Sequence, residues 1–199
     1  MPQNLILASG SSIRQTLLSN ANVSFDINVP RIDEDSIKDA LIADKTPPRD
    51  IADALAEGKA RKISLKHPEA IVLGCDQVLS FQGQLFSKPK DRSEAKDQLL
   101  RLNGERHKLF SAAVIYELGA PKWRFIGEVK LQMKQNSESY LDDYLTRNWD
   151  SVQNSVGGYK LEEEGSRLFS RIDGDYFTVL GLPLLEILGY LGQTGAISS

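Results

Sequence analysis

Cysteine occurs once in this 199-residue chain, at Cys75, and histidine only twice. An internal disulfide is excluded, and the two residue types together supply too few soft ligands for a structural zinc site. The cytoplasm is the natural expectation. Basic charge is not in surplus either: 24 Lys and Arg against 27 Asp and Glu leave a net charge of −3. With no global positive field, neither nucleic acid nor an anionic membrane is expected as a partner, and a polyanionic ligand needs a local basic pocket. Long apolar runs are missing as well. Leu5–Ala8 is too short for a signal peptide, and the most apolar stretch, Tyr176–Ile197, is interrupted by Pro183, Glu186 and several glycines. It never approaches the roughly 18 uninterrupted apolar residues of a membrane span.

What is present is a globular mixture, 41% hydrophobic and 26% charged, enough for one compact domain or two closely packed lobes; residues 1–199 are read as a single functional domain. Leu5–Ala8 reads as a short strand running through Ser9-Gly10-Ser11-Ser12 into a helix with Leu17 and Leu18 on its apolar side. After Pro47-Pro48, Ile51, Ala52, Leu55, Ala56 and Ile63 repeat at helical spacing, and Lys59 falls on the same stripe. Ala70–Leu73 lacks alternation, as a strand buried on both faces does, and is expected to end in Gly74-Cys75-Asp76-Gln77. Val78–Lys88 reads as a hairpin around Gln82-Gly83, followed by Pro89 and a helix begun by Ser93. Leu109–Tyr116 and Trp123–Met133 read as paired antiparallel strands, and Ser137 as the cap of a helix bearing Tyr140, Leu141, Tyr144 and Leu145. A glycine turn at Gly157-Gly158, a polar stretch to Arg171, and a final strand, turn and helix from Pro183 complete a mixed α/β sheet.

Several residues could carry chemistry. In Ser9-Gly10-Ser11-Ser12-Ile13-Arg14, small residues let backbone N–H groups approach an anion at a helix amino terminus, and Arg14 can fork onto phosphate oxygens. The plain alternative is a serine-capped helix with a solvated arginine. Lys59 either meets a ligand or snorkels along its helix edge, and Lys88 beside Pro89 is either a phosphate contact or a turn residue. Together, Arg14, Lys59 and Lys88 could neutralise a triphosphate. Asp76, at an expected strand end, could orient water or bind metal, and Asp33-Glu34-Asp35 offers hard oxygen ligands for Mg²⁺ or simply a solvated charge run. Cys75 reads as a packed thiol, His107 as structural, His67 as exposed, and Tyr140, Tyr144 and Trp149 as core.

Taken in order, Leu7-Ala8-Ser9 through Arg14, Asp33-Glu34, Ala54–Ala60 with Lys59, Gly74-Cys75-Asp76-Gln77-Val78, Lys88-Pro89, Gly157-Gly158-Tyr159, Gly174-Asp175-Tyr176 and Gly181-Leu182-Pro183 resemble the Maf family of nucleoside triphosphate pyrophosphatases, over Leu5 to about Leu191. The resemblance implies an elongated, two-lobed α/β fold, like that of inosine triphosphate pyrophosphatases, with a central cleft. It implies hydrolysis of a nucleoside triphosphate to the monophosphate and pyrophosphate with a divalent cation, Mg²⁺ or Mn²⁺. By position, Asp76 would activate water, Glu34 would support the metal with Asp76, and Ser9, Arg14, Lys59 and Lys88 would bind phosphates. A homodimer is one assembly the resemblance admits. Where many members have Ser-Pro-Arg-Arg, this chain has Ser11-Ser12-Ile13-Arg14, which places Ile13 at a substrate-side position. Gln77 and Glu162 look like the branch that hydrolyses 7-methyl-GTP, whereas the dTTP and UTP branch usually carries Thr and Gln there. A carboxylate at Glu162 suits a cationic purine whose N1 and N2 edge presents donors. A dTTP or UTP pyrophosphatase, or a nucleotide-binding regulator of cell division with little turnover, is the alternative.

Overall fold

The computed structural model describes residues 4–198. In chain order these form β1 (Leu5–Ala8), α1 (Ser12–Asn20), β2 (Asp26–Ile27), α2 (Glu34–Ala43), α3 (Pro48–Ser64), β3 (Ile71–Phe81), β4 (Gln84–Phe86), α4 (Arg92–Leu102), β5 (Arg106–Glu117), β6 (Ala120–Met133), α5 (Glu138–Val152), β7 (Phe169–Asp173), α6 (Tyr176–Val179) and α7 (Leu184–Gln193). The seven strands make a mixed sheet of order β2-β1-β3-β5-β6-β7, with β4 on β3, the α/β class expected from the sequence. No described helix is long and apolar enough to cross a membrane. The chain divides into two compact units.

The first unit contains the chain to Gln77, Phe110–Gly127 and the chain from Asp175. Here Leu5–Ala8 pairs in parallel with Ile71–Gly74, and all eight residues are buried. Helix α3 covers this ladder with Ile51, Ala52, Leu55, Ala56, Ala60 and Ile63, each at most 1% exposed. Its closeness depends on Gly74. A Cβ there would lie 2.3 Å from Ala56 O and 2.6 Å from Ala60 N, so any larger residue would push the helix away. Lys59 lies on the buried stripe, as its spacing required.

Two expectations about secondary structure are corrected. Strand β3 does not stop at Gly74–Gln77 but runs to Phe81, because Val78, Leu79 and Phe81 are also buried; Asp76 therefore sits in mid-strand. Tyr176–Val179, rich in aromatic and β-branched residues, is one helical turn rather than a strand, since Asp175 caps it by accepting the Thr178 N–H at 2.7 Å. The acidic run is the start of a helix: Asp33 caps α2, accepting the Ser36 N–H at 3.0 Å, and Glu34 is its first residue.

The second unit contains Val78–Leu109 and Glu128–Gly174. Leu79–Phe81 and Gln84–Phe86 form the expected hairpin, with Gln82 and Gly83 both at positive φ in its turn. Helix α4 is capped by Asp91, two residues before the expected Ser93, whereas Ser137 caps α5 as expected. Tyr144 is fully buried, but Tyr140 and Trp149 are only half-buried and do not fill the core. The polar stretch to Arg171 contains a strand, β7, antiparallel to Lys130–Met133. His107 is a core residue, 2.7 Å from the Tyr159 hydroxyl and packed near the Phe169 ring; burial pushes its pKa down to about 4.

Candidate active site

Alternation along β3 sends Gly74 and Asp76 to the α3 face of the sheet. One turn of α3 beyond the Ala56–Gly74 approach, Lys59 meets Asp76: its Nζ lies 2.5 Å from Asp76 Oδ1 and 3.1 Å from Glu34 Oε1. The Lys59 and Asp76 side chains are 10% and 9% exposed, while Glu34, at the start of α2, is 44% exposed. Three separate segments, α2, α3 and β3, thus converge on one ammonium. Two carboxylates and one lysine leave a formal charge of −1. Lys59 therefore does not snorkel to solvent; it joins a buried acid to a half-exposed one.

Glu34 and Asp76 also fit the donor set a hard divalent cation takes. Mg²⁺ is commonly held by one or two carboxylates plus water and substrate phosphates rather than by an all-protein cage. In keeping with that, no group of three or more His, Cys, Asp or Glu side chains converges as a cage among the described residues.

Arg14 is neither solvated nor free. Buried in the first turn of α1, it donates Nε–H to Gly181 O at 2.8 Å and Nη1–H to Cys75 O at 2.9 Å and Ser9 Oγ at 3.1 Å. Nη2 is the guanidinium nitrogen without an acceptor among the described residues. Ser9 Oγ accepts from Arg14 and from the Ser11 N–H at 3.3 Å, so its own O–H remains to donate. Ser11 makes no side-chain cap on α1, and Ile13 is half-buried beside Arg14. Gln77 points to the face opposite Asp76: its Nε2 donates to Ser111 Oγ, Thr178 O and Val179 O at 2.9, 3.1 and 2.9 Å, leaving Oε1 as its unengaged atom. The Cys75 thiol is fully buried, and burial pushes its pKa up to about 11, the packed thiol expected. Gly181, Ser111 and Thr178 were not singled out as partners of Arg14 and Gln77, and no local pattern announces such long-range contacts.

In the second unit Lys88 is exposed between β4 and α4, without an ion pair among the described residues. Glu162 is exposed and likewise unpaired, unlike its two neighbours. Glu163 accepts from Ser151 Oγ at 2.6 and 2.8 Å and from Lys160 at 3.2 Å; Glu164 accepts from Arg147 Nη2 at 2.6 Å and Asn148 Nδ2 at 2.7 Å. The Arg147 guanidinium holds the Glu164 carboxyl down at about 2. Of three consecutive glutamates, Glu162 is the one not spent on local structure.

A mixed α/β frame with a near-buried ammonium between two carboxylates has the groups of an enzyme that handles phosphate esters or anhydrides. The chain belongs to the Maf family: the Maf-like protein profile matches residues 4–194. It is 63% identical over 195 residues, 98% of each chain, to a nucleoside triphosphate pyrophosphatase of Ruegeria pomeroyi, and 62% identical, again over 98% of each, to one of Roseobacter denitrificans. It is also 40% identical, over 99% of each chain, to a 7-methyl-GTP pyrophosphatase of Rhizobium etli.

Proposed function

We propose that this chain hydrolyses a modified nucleotide, 7-methyl-GTP, at the Lys59–Asp76–Glu34 site. As a Maf-family member with nucleoside triphosphate pyrophosphatases among its relatives, it is a phosphoanhydride hydrolase. Water attacks the α-phosphorus, the Pα–O–Pβ bond breaks, and the products are the nucleoside monophosphate and pyrophosphate. The observation that carries the reading is Lys59 Nζ held between Asp76 and Glu34.

Asp76, fixed by Lys59 in the middle of a rigid strand, orients the attacking water and accepts its proton. Lys59 offsets charge that builds on the phosphoryl oxygens. Glu34 and Asp76 would hold a divalent cation, Mg²⁺ or Mn²⁺, which supplies further neutralisation of phosphate charge. The Ser9 hydroxyl donates to a phosphate oxygen. Arg14, with three internal acceptors, contributes mainly by fixing Ser9 and the Gly181 corner, and offers the phosphates only Nη2. Lys88 as a phosphate contact, and Gln77 Oε1 and Glu162 as base-reading groups, are carried from the resemblance; the free state of Glu162 beside two engaged neighbours supports its assignment.

A pyrophosphate-release assay, coupled to inorganic pyrophosphatase, with 7-methyl-GTP, GTP, dTTP and UTP in Mg²⁺ or Mn²⁺ tests both levels. A higher kcat/KM for 7-methyl-GTP than for the others is expected. Equal or greater efficiency on dTTP and UTP would move the chain to the pyrimidine branch. Tight nucleotide binding with no pyrophosphate from any of the four would favour the regulatory reading.

A further inference from the structure

We infer that the surface cavity between β6 and α7 is a binding site for a small planar organic cation of the guanidinium class. The cavity measures about 300 Å³ and lies wholly in the first unit. Its walls are Trp123 and Phe125, which alternate onto one face of β6, and Glu186, Gly189, Tyr190 and Gln193, which share one face of α7. The proposal is independent of the nucleotide chemistry above.

Three observations define the ligand. The aromatic rings are already organised: Trp123 stacks with Tyr190 at 5.4 Å between centroids and 25° between planes, and with Phe125 at 6.4 Å and 12°. A pre-formed, parallel aromatic wall favours a flat cation that lies against its π-electrons. The second observation is Glu186, whose Oε2 is buried and has no hydrogen-bond partner. With that oxygen turned inward, the carboxylate that lines the cavity keeps its other oxygen, and its negative charge, for a ligand. A guanidinium combines a stacking face with a forked edge that a carboxylate accepts in pairs, which an ammonium does not. Gln193 adds an amide oxygen able to take a further N–H.

The third observation is Gly189. It stands inside α7, where glycine is a poor helix former, yet a Cβ built there meets nothing within 4 Å. Packing does not require the glycine, and a larger side chain at this lining position has open space to occupy. Negative charge disfavours a second nucleotide here: Glu186 lines the cavity, and Glu117 accepts from the hydroxyl of its Tyr190 wall at 3.2 Å.

The test titrates methylguanidinium, and separately the neutral N-methylurea, into the full chain at constant ionic strength, following the indole N–H resonances. The chain has two tryptophans, so Trp149 serves as an internal control. A saturable shift of the Trp123 resonance alone is expected with methylguanidinium, at least tenfold weaker with N-methylurea. Glu186→Gln should weaken it about tenfold or more. Gly189→Leu should abolish it by filling the cavity, while leaving pyrophosphatase activity and the melting temperature no lower. Equal responses to the cation and the urea, no saturable shift of Trp123, or undiminished binding in both variants would overturn the assignment.

Discussion

Lys59 reaches Asp76 because of an absent side chain: Gly74, two residues before the acid on the same face of β3, lets α3 settle directly on the strand. The ion pair is thus set by backbone packing rather than by the reach of a flexible lysine. That placement makes the functional groups of the site stiff, and their removal measurable.

Asp76→Asn keeps the shape of the side chain and removes its basicity. Turnover should fall by about 10²–10⁴-fold, with nucleotide binding changed far less. Single-turnover kinetics beside a binding titration checks this; near-normal turnover in the folded variant would remove Asp76 from its role.

Lys59→Met leaves the Asp76 carboxylate in a nearly dry position with its closest cation gone. A loss of about 3 kcal/mol of stability is expected, because breaking one side of a buried pair leaves an uncompensated charge. Adding Asp76→Asn to that variant should restore most of the loss while activity stays absent. Urea unfolding of the two singles and the double gives the coupling directly.

Glu162→Gln and Glu164→Gln should separate cleanly. The first touches no partner, so stability should stay within about 0.5 kcal/mol while the preference for 7-methyl-GTP over dTTP narrows by about tenfold or more. The second breaks the Arg147 pair, costs about 1 kcal/mol at this partly exposed position, and leaves substrate ranking alone. Competition assays on both variants decide between them.

His107 gives the protein a characteristic acid sensitivity. Its pKa is held at about 4 in the fold against 6.5 in the unfolded chain, so the unfolded chain binds the proton first. Its contribution is complete above pH 6.5 and is lost as pH falls towards 4, about 3 kcal/mol in all. The lowered carboxyls Glu163 and Glu164 act only below about 4.5, which leaves the window from 6.5 to 4.5 to His107. Chemical denaturation across that window should show a slope that His107→Gln flattens.

Local pattern carried much of this structure. The α3 stripe, the hairpin at Gln82-Gly83, the Ser137 cap and the packed Cys75 and His107 were all legible, since each depends on near neighbours or on residue type. The mid-strand position of Asp76 was not, because a polar residue in an apolar run looks like an end; only the burial of Val78–Phe81 shows the strand continuing. Tyr176–Val179 misled for the opposite reason: four strand-favouring residues were overruled by one capping carboxylate at Asp175. Arg14 was recognisable as important, yet its attachment to Gly181, 167 residues away, has no local trace.

Asp76 and Gln77 are neighbours in sequence but inhabit opposite sides of the sheet, one tied to α3 and the other to the carbonyls at the end of α6. Point changes at one can therefore be explored without disturbing the other's surroundings. Length changes cannot: a single inserted or deleted residue between Ile71 and Asp76 would turn the acid towards Thr178 and the amide towards Lys59. The stretch should tolerate exchange of one side chain for another and reject any alteration of its count.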